Sequence, residues 1–283
     1  MDAVTAQQAL YERVCQRISA LVTRTYSTSF SWGIRLLGAR HRGPIRSIYA
    51  FVRLADEVVD TFHGHDRAAL LVELRADTHR AIARGISCNP ILHGFQAVVR
   101  RYGIPPALID RFLDSMATDL EVQAHDAASS DAYITGSARC VGSMCLLVFC
   151  EGDHTLFDEL DPYARSLGSA FQKINFLRDL RTDRHELGRS YFPDSGNGPL
   201  PAERKRAIEA GIEAELAHAR TGIARLPKDA RGGVRLATAY FTRLFHRLRS
   251  ASPEELMQRR LRVSDVRKLG LLLSHLAARP FHA

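Results

Sequence analysis

Apolar residues recur at three- and four-residue steps along almost the whole chain, and period-two alternation is nearly absent. A chain patterned this way folds by burying the apolar stripes of α-helices against one another. Asn89-Pro90 marks one helix start, with proline placed where no amide donor is needed. Ser130-Asp131 marks another, and Ser252-Pro253-Glu254-Glu255 opens a short helix with acids in its first turn. Breaks are expected at residues 40–43, 63–65, 102–106, 151–153, 193–201 and 227–233. The expectation is roughly eight to ten long helices. No Gly/Ser-rich or Pro-rich linker, internal repeat or low-complexity tract divides the 283 residues. Residues 1–283 are therefore expected to form one all-α domain, a helical bundle large enough to enclose a central cavity.

Several classes recede on composition. The longest nearly unbroken apolar run, Cys140 to Cys150, is too short to span a bilayer, and the amino terminus lacks the basic-then-apolar order of a signal peptide. The five cysteines are odd in number and form no CxxC pair, which predicts reduced thiols and a cytosolic setting. The formal charge is +8, and only four of the 39 basic residues are lysines. Such an arginine excess suits a phosphorylated ligand or peripheral contact with anionic lipid. No basic block with interleaved aromatics points to nucleic acid.

Two short motifs carry chemistry. In Arg53-Leu54-Ala55-Asp56-Glu57-Val58-Val59-Asp60, the two aspartates are four apart and share one helix face. Stacked like charges weaken a helix unless something compensates them, and a divalent cation such as Mg2+ does so with a few carboxylates plus phosphate and water oxygens. A lone pair of this kind reads equally as a solvated acidic helix end. The spacing repeats, however, in Asp179 and Asp183, and there Gln172, Asn175, Asp179 and Asp183 form one polar stripe beside Phe171, Ile174 and Leu177. A polar stripe bordered by apolar residues predicts a helix lining a polar cavity. The following Gly188-Arg189-Ser190-Tyr191-Phe192-Pro193 reads as a loop able to close over a ligand. Two such helices can hold magnesium ions that turn a diphosphate into a leaving group, with an apolar cavity sheltering the resulting allylic cation.

Together these residues resemble a known family. Tyr26-Ser27-Thr28-Ser29-Phe30, Tyr49-Ala50-Phe51-Val52-Arg53 and the Asp56/Asp60 pair resemble the opening of squalene and phytoene synthases. Gln172, Asn175, Arg178, Asp179 and Asp183, followed by residues 188–193 with Arg189 and Tyr191, resemble their second aspartate region. The resemblance implies the isoprenoid synthase fold, Mg2+ and a prenyl diphosphate donor. It implies diphosphate contacts from Ser27, Ser29, Tyr49 and Arg53, and metal held by Asp56, Asp60, Asn175, Asp179 and Asp183. Tyr240 and Arg260 fall where the family has a cavity tyrosine and a phosphate-contacting arginine.

One stretch departs from the family. Thr135 stands where a tyrosine is expected, and Arg139 where glycine or an acid is usual. Threonine lacks the π face that steadies a cation. The departure leads to the expectation that an aromatic, carbazole-like acceptor receives the prenyl group. The alternative is head-to-head condensation of two prenyl diphosphates to phytoene or a squalene precursor.

Overall fold

The computed structural model describes residues 3–122, 124–193, 199–264, 268 and 270–272. Among them the architecture is helical: α1 (Ala3–Tyr26), α2 (Thr28–Arg35), α3 (Ala39–Asp60), α4 (Arg67–Arg84), α5 (Pro90–Tyr102), α6 (Pro106–Glu121), α7 (Ala127–Ile134), a π turn (Thr135–Arg139), α8 (Cys140–Cys150), α9 (His154–His185), α10 (Ala202–Arg225), α11 (Lys228–Ser250) and α12 (Pro253–Gln258). The only β pairing among the described residues is an isolated bridge between Ala124 and Ser190.

Local chemistry sets many of the boundaries. Side chains of Asp66, Asn89, Asp126, Asp153 and Ser252 accept from first-turn amides of α4, α5, α7, α9 and α12. Gly85 and Gly103 end α4 and α5 in the left-handed region that L side chains avoid. Asn89 and Ser252 cap as the sequence suggests, whereas α7 begins at Ala127, capped by Asp126, ahead of Ser130-Asp131.

Two expected breaks fall earlier than read from the sequence, at 36–38 and 226–227 rather than at 40–43 and 227–233. Helix α3 runs through residues 40–43 and past Pro44, because Ile45, Ile48 and Phe51 place a buried stripe behind it. Helix α11 starts at Lys228 and continues through Gly233, whose missing Cβ allows close approach to the Gly33 carbonyl of α2. Of the break at 193–201, residues 194–198 lie outside the described residues.

Helix α3 packs against α1, α4, α5, α6 and α8, and α9 packs against α8, α10, α11 and α12. Phe51 of α3 stacks on Phe95 of α5 with ring centroids 3.9 Å apart, and Phe112 of α6 closes on the same ring at 5.7 Å. The helical run Ala127–Cys150 is 24 residues long, longer than the apolar run read from the sequence, and apolar enough to cross a membrane by length and composition. It packs between α6 and α9, with 61% of its most apolar window buried in the bundle. All five cysteines are free thiols.

The π turn is gripped on two sides by backbone. A Cβ on Gly136 would lie 2.5 Å from the Arg111 carbonyl oxygen, and one on Gly168 of α9 2.5 Å from that of Ala138. Gly168→Ala is expected to destabilise the protein by about 1–3 kcal/mol through overpacking. Gly211→Ala, with nothing within 4 Å of the new methyl, should be neutral or slightly stabilising. Denaturant melts of both variants check this, and equal midpoints would contradict it.

Candidate active site

The last turn of α3, the end of α6 and the last turns of α9 bring acids to one cleft. Burial, with Asp60 and Asp119 nearby, pushes the Asp56 carboxyl up to about 8 despite Arg53. Burial also pushes Asp183 up to about 8, reinforced by Asp179, Asp60 and Asp119. Aspartates of α3, α6 and α9 thus feel one another, and the two sequence pairs face a common space.

Arg189 lies at the centre. It is 5% exposed, and its Nη1 donates to Asp60 Oδ1 at 2.6 Å while Nη2 donates to the Val59 carbonyl at 3.2 Å. Gly188, at φ +67°, turns the chain immediately after α9, so the Arg189 amide donates to the Asp183 carbonyl at 2.6 Å. The expected loop is therefore already fastened across the cleft, with Arg189, Tyr191 and Phe192 buried.

Asp119 was not singled out by sequence reasoning. It is 7% exposed, accepts from the Tyr133 and Tyr191 hydroxyls at 2.6 Å each, and lies 3.8 Å from Arg189. Burial raises its carboxyl to about 6, opposed first by Arg189. Ile109, Phe112, Met116 and Asp119 step by three and four along α6, so a charge on an otherwise buried apolar stripe was the available signal.

One turn before Asp56 on α3, Arg53 pairs with Glu57, sits 3.9 Å from Asp56 and lies over the Tyr26 ring at 4.3 Å. Tyr49 is half-buried, its phenol pushed up to about 12 by burial, with its ring 5.7 Å from Phe30. Ser27 caps α2 by accepting from the Phe30 amide, and Ser29 follows half-buried. On α9, Asp179 accepts from Arg178 Nε at 3.0 Å, and Arg260 Nε lies 2.6 Å away. Gln172 is half-buried on the same stripe. Below the acids, Phe241 stacks on Phe171 at 3.8 Å and meets Phe30 at 5.8 Å. Val52, Val141 and Cys145 are partly buried against the main core, and burial pushes the Cys145 thiol up to about 12.

Two residues stand differently from the rest. Tyr240 is not brought to the aspartates: it joins Leu36 and Leu236 in a second cluster and donates to the Lys268 carbonyl at 3.0 Å. Thr135 lies in the π turn, where its hydroxyl accepts from Arg139 Nη1 at 2.9 Å while Arg139 Nη2 pairs with Asp131 at 2.8 Å.

Among the described residues, no three carboxylate, imidazole or thiolate groups close into a ready-made metal cluster. The donor set nevertheless fits a hard divalent cation that takes one or two carboxylates and completes its shell with phosphate and water. Asn175 Oδ1 is buried without a hydrogen-bond partner beside these acids, an oxygen available to a cation.

The site is thus an all-α bundle whose two aspartate pairs face one cleft beside an aromatic cluster. The "Squalene/phytoene synthase" family profile matches residues 23–197. A 15-cis-phytoene synthase from Paracoccus sp. is 30% identical over 269 residues, covering 87% of this chain and 86% of that protein. A presqualene diphosphate synthase from Zymomonas mobilis is 32% identical over 205 residues, covering 71% and 66%. The fold matches a ligand-bound dehydrosqualene synthase at TM-score 0.82 and 18% identity, over 94% of this chain and 96% of the other. A squalene synthase from Alicyclobacillus acidocaldarius matches at TM-score 0.74 and 20% identity, over 85% and 95%. The chain belongs to the squalene/phytoene synthase family and is a prenyltransferase of that kind.

The raised acids set a pH dependence. Between about pH 4 and about pH 8 the folded protein holds more protons on Asp56 and Asp183 than the unfolded chain does, so their contribution to stability falls as pH rises. In metal-free buffer the wild type should lose melting temperature toward pH 8 relative to an Asp56→Asn/Asp183→Asn variant. Parallel profiles would refute the assignment.

Proposed function

We propose that this enzyme condenses two prenyl diphosphates head to head, with magnesium, in a reaction of the phytoene or presqualene diphosphate synthase type. The observation that carries the reading is the convergence of Asp56, Asp60, Asp119, Asp179 and Asp183 on one cleft above Phe30, Phe171 and Phe241. The named relatives, phytoene and presqualene diphosphate synthases, favour condensation over transfer to an aromatic acceptor. The Arg139 contact weakens the acceptor reading physically. The place of the expected tyrosine holds an ion-paired guanidinium on the Thr135 hydroxyl, which makes a poor slot for a flat apolar ring.

In this reading Asp56, Asp60, Asn175, Asp179 and Asp183 would hold Mg2+. When bound, the metal neutralises the diphosphate and improves it as a leaving group. Arg53, Arg178 and Arg260 stand on the rim where guanidinium forks match phosphate oxygens, and Ser27, Ser29 and Tyr49 add hydroxyls. Arg189 and the two Asp119-bound tyrosines close the cleft, which limits water near a carbocation. The faces of Phe30, Phe171 and Phe241 supply the π density that a delocalised cation favours.

The direct test offers farnesyl and geranylgeranyl diphosphates singly, with magnesium and no other acceptor. A product of two prenyl units, detected by mass spectrometry, is expected. Prenyl transfer seen only when an aromatic acceptor is added would overturn the proposal. Asp56→Ala and Asp179→Ala should each lower turnover by at least ~10²-fold, the size of losing one preorganised electrostatic element. Steady-state rates of purified, folded variants measure this.

A further inference from the structure

Away from the aspartates, two clefts run along α11. The larger, about 520 Å³, lies between α10 and α11 and is lined by Arg220, Arg235, Arg243 and His246 over Ile223, Ala239 and Leu271. The second, about 350 Å³, shares Arg243 and His246 and adds Arg247 and Arg259. Among the described residues only one acid, Glu255, lines either cleft, and it is already paired with Arg259. On the same two helices Arg225 is matched by Glu159 and Arg249 by Glu213, as Arg75 on α4 is by Asp110 and Asp114. Arg220, Arg235 and Arg243 are exposed and have no such partner among the described residues.

We infer that this face of α10 and α11 docks on anionic phospholipid, with the three unpaired arginines taking lipid phosphates. Like charges gathered without counterions repel, and the arrangement relaxes when phosphate supplies the missing charge. The extent of the stripe selects a surface over a small soluble anion. Arg235 to Arg247 spans twelve residues of helix, about 18 Å at 1.5 Å per residue, several times the width of one diphosphate. The apolar floor of Ile223, Ala239 and Leu271 suits the glycerol and upper acyl region beneath the headgroups. The face is separate from the cleft chemistry: Phe241 points to the aromatic floor, whereas residues 235, 239, 242, 243 and 246 line the outer side of the same helix.

Vesicle co-sedimentation tests this with the full chain. Binding to phosphatidylcholine vesicles containing phosphatidylglycerol is expected, with little binding to phosphatidylcholine alone, and it should weaken with salt. Each arginine near an anionic surface contributes roughly fivefold, so Arg220→Gln/Arg235→Gln/Arg243→Gln should weaken binding by about 10²-fold. An Arg80→Gln/Arg84→Gln/Arg100→Gln variant carries the same net charge change on α4 and α5 and should bind nearly as the wild type does. Equal losses in the two variants would reduce the effect to overall charge and overturn the proposal. So would binding of soluble inorganic diphosphate to this face, read as calorimetric heat lost in the α10–α11 variant, with no vesicle binding. Unchanged turnover on detergent-dispersed substrate would show that the variant is folded and its active cleft intact.

Discussion

Desolvation and mutual repulsion of the cleft carboxylates together are the constraint that the rest of this structure is arranged to withstand. Two unit charges about 5 Å apart repel by about 3 kcal/mol at an effective dielectric near 20, which is a large fraction of a domain's net stability. Asp56, Asp60, Asp119 and Asp183 share such a neighbourhood. Arg189 and the hydroxyls of Tyr133 and Tyr191 offset part of that repulsion. Burial first, and then the remaining repulsion, raises the proton affinity of Asp56 and Asp183. Backbone that carries so unfavourable a group of charges must be held firmly, and α3 and α9 are each packed against four or more other helices.

The same geometry separates two environments within a few helical turns. Toward the ends of α3 and α9 stand acids, guanidinium groups and hydroxyls; along their inner lengths stand aromatic and aliphatic side chains. The arginines divide similarly. Those at the cleft are bound to its acids, whereas Arg235 and Arg243 on the outer side of α11 are exposed, without a carboxylate partner among the described residues.

Much of this was legible in the sequence because helical periodicity and i, i+4 spacing are local. Asp56 and Asp60, or Asp179 and Asp183, announce a shared face within five residues. Asp119 does not, because its partners Tyr133 and Tyr191 lie 14 and 72 residues away and only the fold brings them together. Tyr240 shows the converse: matching sequence order placed it with the cavity, but the rotation of α11 turns it to the Lys268 carbonyl. The breaks expected at 40–43 and 227–233 fall earlier, at 36–38 and 226–227, for a tertiary reason. Proline and glycine weaken a helix by a few kcal/mol at most, and the burial of Ile48 and Phe51, or of Leu236 and Phe241, outweighs them. Thr135 was read as a departure from the family, and its hydroxyl accepts from Arg139, one turn further along the same helix.

The π turn at Thr135–Arg139 has a consequence for how this helix can vary. A π turn holds one residue more than an α turn, so everything before it is rotated by about 100° relative to a continuous α-helix. That rotation lets α7 present Tyr133 to Asp119 while α8 keeps Met144, Leu147 and Val148 in the core. Losing one residue within 135–139 would restore an ordinary helix and swing the phenol off its carboxylate without changing a single side chain at the site. The protein's sensitivity at this segment is thus to length as much as to residue identity, and an insertion or deletion there acts as a change of phase.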